Sequence, residues 1–169
     1  QQGHPTVLTV IFEYIVCDSP AGIEKGANLA LYFADDAFVV TNPEISSVRD
    51  SDRMLGILSS KSRRAERGEE PIKEYLLLTR YDPERVKNGE MLSLDDVQEI
   101  LSLQLLGIIP ESKSVLTASN AGVPVILDEK SEAGQAYADI VARYLGEDCP
   151  HRFVESKRGF FSKLFGGKK

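Results

Sequence analysis

Short apolar runs alternate with stretches of helical spacing along this chain. Residues 13–17, Glu-Tyr-Ile-Val-Cys, lead into Asp18, Ser19, Pro20, Ala21 and Gly22, which predicts a buried strand and its loop. Residues 23–34 have helical spacing, with Leu29, Leu31 and Phe33 among good formers. Residues 37–40 are a second strand-like run. Behind it, Asn42-Pro43-Glu44 predicts a helix start, with Asn as N-cap, Pro in the first turn and an early acid.

That helix is expected to turn Ile45, Val48, Leu55 and Leu58 inward and to dissolve into the charged stretch 61–70, where Gly68 and Pro71 mark its end. Residues 75–78 form a further strand, ending in Thr79 and Arg80. Ser93-Leu94-Asp95-Asp96 opens a short helix, residues 105–109 give a fourth strand ending in Pro110 and Glu111, and residues 131–145 make a final amphipathic helix. Buried strands separated by helices predict an α/β fold, with a mostly parallel sheet flanked by helices, because each parallel return needs a crossover. Such sheets bind ligands beyond the carboxyl ends of their strands. The loops holding Asp18, Asn42, Thr79, Arg80, Pro110 and Glu111 are therefore the candidate site.

Composition narrows the classes of chemistry. With 169 residues, 42% hydrophobic and 27% charged, the chain has an ordinary globular make-up and no apolar run near the roughly 20 residues a spanning helix needs. Cys17 and Cys149 are too few for a disulfide framework, and His4 and His151 cannot supply a histidine-rich metal site. Nothing resembles a secretory signal peptide, so a reducing cytoplasm is expected.

The net charge of −6 is unevenly distributed: residues 157–169 carry five cations and no acid, leaving 15 basic and 26 acidic residues, a charge of −11, in residues 1–156. If residues 160–165 are helical, Phe160, Phe161, Leu164 and Phe165 fall within an arc of roughly 140°, opposite Ser162 and Lys163. Lys157 projects near that arc and snorkels. The alternative is that these rings dock on the protein's own body. Asp50 and Asp52, between Arg49 and Arg53, read first as a solvated helix face, with acids near its positive end.

A carboxylate placed directly after a buried strand, as Asp18 is predicted to be, can order water around a magnesium ion on nucleotide phosphates. The alternative, which the strand-Asp pattern alone favours, is an aspartate that caps the following turn through Ser19 and Gly22. The segment Ile15-Val16-Cys17-Asp18-Ser19-Pro20-Ala21-Gly22-Ile23-Glu24 resembles the Walker B and second switch of the ParA/MinD family of deviant-Walker ATPases, specifically its MinD branch. Thr41-Asn42-Pro43-Glu44, Ser46-Ser47-Val48-Arg49-Asp50-Ser51-Asp52-Arg53, Leu77-Leu78-Thr79-Arg80-Tyr81, Ile109-Pro110-Glu111, Ala118-Ser119-Asn120 and residues 124–128 extend the likeness over about residues 12–169.

The resemblance implies a P-loop NTPase-like cell-division ATPase that dimerises with ATP and Mg2+ and binds the inner membrane through a carboxyl-terminal amphipathic helix. It also implies recruitment of the division inhibitor MinC and release by MinE-stimulated hydrolysis. By the same resemblance Asp18 is the catalytic Walker B acid, reaching magnesium through water. Pro20, Ala21 and Gly22 are the switch loop, and Thr79, Arg80, Pro110 and Glu111 lie around the adenine. Asp50 and Asp52 become partner contacts, and Lys157, Arg158, Phe160, Phe161, Lys163, Leu164 and Phe165 become membrane contacts on anionic lipid. The implied location is the cytoplasm and the cytoplasmic face of the inner membrane, with no nucleic acid as partner.

One departure matters. No Gly-x-x-x-x-Gly-Lys-Ser/Thr segment occurs in the 169 residues, and that loop is what cradles phosphates in such enzymes. The expectation is a carboxyl-terminal part, with its amino-terminal part missing, that does not hydrolyse ATP alone. Residues 1–11 read as an unmatched leader, 12–150 as a partial ATPase domain and 151–169 as linker and membrane-targeting helix. Two other readings remain: a ParA-like DNA-partitioning ATPase, disfavoured by the −11 body, and a non-enzymatic remnant that touches only membrane or partner.

Overall fold

The computed structural model describes residues 11–19 and 31–154. Its elements, in chain order, are β1 (Asp36–Thr41), α1 (Ile45–Lys61), α2 (Arg63–Arg67), β2 (Lys73–Tyr81), α3 (Pro83–Lys87), α4 (Leu94–Leu101), β3 (Gln104–Pro110), α5 (Lys113–Asn120), a 3-10 turn (Val125–Leu127) and α6 (Glu132–Tyr144). The three strands form one parallel sheet in the order β1-β2-β3. β2 pairs in parallel with β3, with Leu76 opposite Leu105, Leu78 opposite Ile108 and Tyr81 opposite Pro110. The alternation of apolar runs with helices thus produces the α/β architecture the pattern predicts.

The described chain divides into two compact units. One comprises residues 11–19, 31–37 and 52–73, the other residues 38–51 and 74–154. In the first, Asp35 accepts from Arg64 Nη2 at 2.5 Å and the Arg63 guanidinium lies over the Phe33 ring. Ser62 caps α2, and Gly68, at φ 63°, ends it in the left-handed region that glycine enters without steric cost.

The second unit holds the sheet. Leu76 and Leu78 on the central strand are fully buried, as is Val48 on α1. Leu106, Ile109, Ala133, Ala136 and Ile140 close a core between β3 and α6. Close approach there depends on missing side chains: a Cβ on Gly107 would collide with Ile140, and one on Gly134 with the carbonyls of Asp128 and Val125. A capping box opens α4, in which the Ser93 hydroxyl accepts from the Asp96 amide and the Asp96 carboxylate accepts from the Ser93 amide.

Four expectations need correcting. Residues 13–17 are not a strand: they are irregular and exposed, Val16 to 87%. A strand is stable only when its backbone finds a ladder, and no described strand pairs with these residues. Ile45 is 56% exposed, because it occupies the first turn of α1, ahead of the buried Val48. Asn42 is not the N-cap: α1 begins at Ile45, and the Asn42 Oδ1 is taken by the Thr79 hydroxyl at 2.8 Å. The charged stretch after Lys61 does not simply dissolve but forms the separately capped α2. The expected helix over residues 23–34 lies mostly outside the described residues.

Candidate functional site

The loops beyond the carboxyl ends of β2 and β3 converge. Tyr81 and Pro110 are register partners, and the Glu111 amide continues the ladder by donating to the Tyr81 carbonyl at 3.0 Å. This brings Thr79, Arg80, Pro110 and Glu111 together at one end of the sheet. The loop after β1 joins them, since the Thr79 hydroxyl lies 2.8 Å from Asn42 Oδ1 and 3.3 Å from the Thr41 carbonyl.

Arg80 has φ 55°, a left-handed conformation that is uncommon for a residue with a side chain. It breaks the strand alternation just where the sheet ends. The Arg80 Nη2 then reaches Glu111 Oε1 at 3.4 Å, while Arg85 Nη1 lies 3.7 Å from Glu111 Oε2. One carboxylate thus sits between two guanidiniums, all three groups being partly open to water. The cluster offers a planar cation, an acid, a hydroxyl and a proline ring within one small surface.

Arg85 is the residue that sequence reasoning missed. It comes from α3, whose start was signalled by Asp82-Pro83: Asp82 accepts from the amides of Glu84 and Arg85, and Pro83 occupies the first helical position.

Asp18 is exposed at the end of an irregular segment rather than at the mouth of a strand. Among the described residues no group of three or more His, Cys, Asp or Glu side chains could hold a metal. A magnesium ion carried on nucleotide phosphates needs only one or two protein carboxylates, and a lone Asp18 fits that requirement. Asp50 and Asp52 are exposed on α1, on either side of the buried Ser51. Pro20, Ala21 and Gly22, and the tail residues Lys157, Arg158, Phe160, Phe161, Lys163, Leu164 and Phe165, lie outside the described residues. No described helix is long and apolar enough to cross a membrane.

At the opposite end of the sheet a second arrangement stands out. Arg143 on α6 donates to the carbonyls of Leu106, Cys149 and Pro150, and the buried Asp139 accepts from Arg152 through both carboxylate oxygens. These bonds fasten the segment after α6 back onto the helix and β3. The hydrogen bond from Arg152 holds the Asp139 carboxyl below the usual carboxylate range, against the opposing effect of burial.

Comparison with known proteins gives a consistent set of relatives. The chain is 69% identical over 157 residues to the septum site-determining protein MinD of Escherichia coli K12, a match that covers 92% of this chain and 58% of that protein. The MinD cell division protein of Aquifex aeolicus has a similar solved structure, with TM-score 0.74 and 41% identity over 85% of this chain and 58% of that one. A MinC:MinD cell division protein complex from the same organism matches equally well, over 56% of its chain. A septum site-determining protein MinD complexed with Mg-ADP, from Pyrococcus horikoshii, matches with TM-score 0.61 and 25% identity, over 76% of this chain and 50% of that one. No family model matches. The chain spans rather more than half the length of the curated relatives it matches.

Proposed function

We propose, from the premise that 92% of this chain is closely related in sequence, and 85% in fold, to septum site-determining MinD proteins, that it serves as the carboxyl-terminal part of a cell-division site-selection ATPase. The observation that carries this reading is the convergence of Thr79, Arg80, Pro110 and Glu111 beyond the ends of adjacent parallel strands. That is where open α/β sheets bind nucleotides.

In this reading the four residues hold the adenine: the Arg80 guanidinium offers its face to the ring, and Glu111 and Thr79 supply polar partners for the ring edge. Asp18 orders water around the magnesium ion that arrives with the phosphates, and Pro20, Ala21 and Gly22 respond to phosphate occupancy. A magnesium ion bound with the nucleotide would neutralise the negative charge of the phosphate oxygens during transfer. No phosphate-loop motif occurs in these 169 residues, so in this reading the phosphate cradle is supplied by another segment and these residues alone do not turn over ATP.

Function follows from avidity. A tail with three phenylalanines, a leucine and five cations binds an anionic leaflet weakly by itself and strongly when two tails are joined. ATP joins two subunits, MinC is recruited through a surface including Asp50 and Asp52, and MinE-stimulated hydrolysis returns weakly held monomers to the cytoplasm. A solved relative that is a MinC:MinD cell division protein complex supports the first partner.

The test is sedimentation with anionic vesicles in ATP and in ADP, for the 169-residue chain and for the same chain joined to the upstream phosphate-loop part of a relative. The joined protein is expected to bind vesicles more in ATP and the short chain equally in both. Equal binding of the joined protein in both nucleotides would falsify the mechanism.

A further inference from the structure

We propose that a groove at the amino-terminal end of the sheet, the end away from Thr79 and Glu111, is a docking site for this chain's own residues 157–169 and competes with lipid for them. The groove encloses about 550 Å3 between the starts of β2 and β3 and the segment after α6. That volume falls in the range of about 300–1,000 Å3 usual for ligand pockets, and the open groove is lined by polar as well as apolar groups. Its walls include Tyr75, Leu105 and Tyr144, and its outer rim Glu147, Asp148 and His151.

The aromatic wall extends beyond the groove. Phe38, 40% exposed on the edge strand β1, stacks on Tyr75 with ring centroids 5.9 Å apart and meets Tyr144 edge-on at 4.9 Å. Additional phenylalanine rings would find offset and edge-to-face partners there. The rim supplies the charge: Glu147 and Asp148 are exposed, whereas the Arg143 guanidinium beside them is spent on three backbone carbonyls and Asp139.

Three features select the tail as occupant. Its Phe160, Phe161, Leu164 and Phe165 match the aromatic wall, and its five cations without an acid match the acidic rim. The tether is short, since His151 lines the groove and Phe160 follows nine residues later. Nine residues span roughly 30 Å at most, at about 3.3–3.6 Å each. A tether of this length sets an effective concentration on the order of millimolar, so a contact too weak to see between separate molecules is populated within one. The apolar face cannot occupy groove and bilayer together, so the groove sets a threshold that a membrane must exceed. Docking stands on the groove alone, whereas its regulatory role rests on the membrane reading above.

The chain contains no tryptophan, so Phe161→Trp gives a single emission reporter. Without lipid, its emission is expected to be blue-shifted relative to the same tryptophan in a free peptide of residues 155–169, and unchanged on dilution by about a hundredfold. The shift is expected to vanish in Glu147→Gln/Asp148→Asn and in Phe38→Ser, all at exposed positions, with circular dichroism confirming that each variant is folded. Phe38→Ser, which leaves the charge unaltered, is also expected to need about half the anionic vesicle for half-maximal binding. Emission equal to that of the free peptide, or insensitive to both variants, overturns the docking. A shift that disappears on dilution overturns it in favour of a second copy in the groove. A persistent shift with no vesicle binding by any variant supports the docking and sinks the membrane reading instead.

Discussion

Asp139 is a buried acid whose position depends on a cation thirteen residues further along the chain, since Arg152 engages both of its oxygens. Asp139→Asn keeps the volume and removes the charge, and is expected to cost about 1.5–3 kcal/mol, the range for hydrogen bonds to a charged group. The check is a lower urea midpoint with an unchanged slope. Because the folded carboxyl is held below its unfolded value, its contribution is complete above about pH 4 and fades as the pH falls through the depressed folded value. The variant should therefore lose less stability than the parent between pH 4 and lower pH, and parallel acid limbs in a pH series of urea melts would contradict the assignment. Arg80 makes a different point at this scale. Its identity was legible as a site candidate from its place after an apolar run, but its left-handed backbone was not, because nothing local in Thr-Arg-Tyr announces a positive φ.

The elements were readable where local chemistry and burial agree. Ser93 and Asp96 signalled α4 and cap it as expected, and Ser93→Ala is expected to lower stability by about 1 kcal/mol, read as a shift in thermal midpoint. Strands β1, β2 and β3 were legible from their apolar runs, which are buried or half-buried in β2 and β3, whereas β1 buries only alternate residues and leaves Phe38 and Val40 exposed. Residues 13–17 carry the same signal, yet form no strand: an apolar run specifies what it would bury, not whether a neighbour is there to pair with it. The short helices α3 and α5 escaped notice because neither buries a residue, so no apolar face marks them as Val97 and Leu101 mark α4, although Asp82-Pro83 and Ser112 announce their starts. Contact between α6 and β3 rests on Gly107 in turn. Gly107→Ala should cost about 1–3 kcal/mol by overpacking against Ile140. Ile140→Ala is destabilising by itself through the cavity it leaves, but the two together should cost less than their sum. A double-mutant cycle by urea melts measures that coupling, and strict additivity would show the helix shifts instead.

Over the whole chain, charge is segregated, with −11 in residues 1–156 and five cations in the last thirteen. Removal of residues 157–169 is expected to abolish sedimentation with anionic vesicles, and in the intact chain that sedimentation should weaken between low and physiological salt, as the Debye length contracts to about 8 Å. Binding that survives the deletion would place the lipid contact elsewhere.

The sheet order β1-β2-β3 puts β2 between two neighbours, with Leu76 and Leu78 sealed from water. A backbone clasped from either side opens only when its surroundings come apart. In heavy water the amides of β2 should thus be among the slowest to trade hydrogen for deuterium, while β1, with one outer border, and the surface turn at Val125–Leu127 relinquish theirs early.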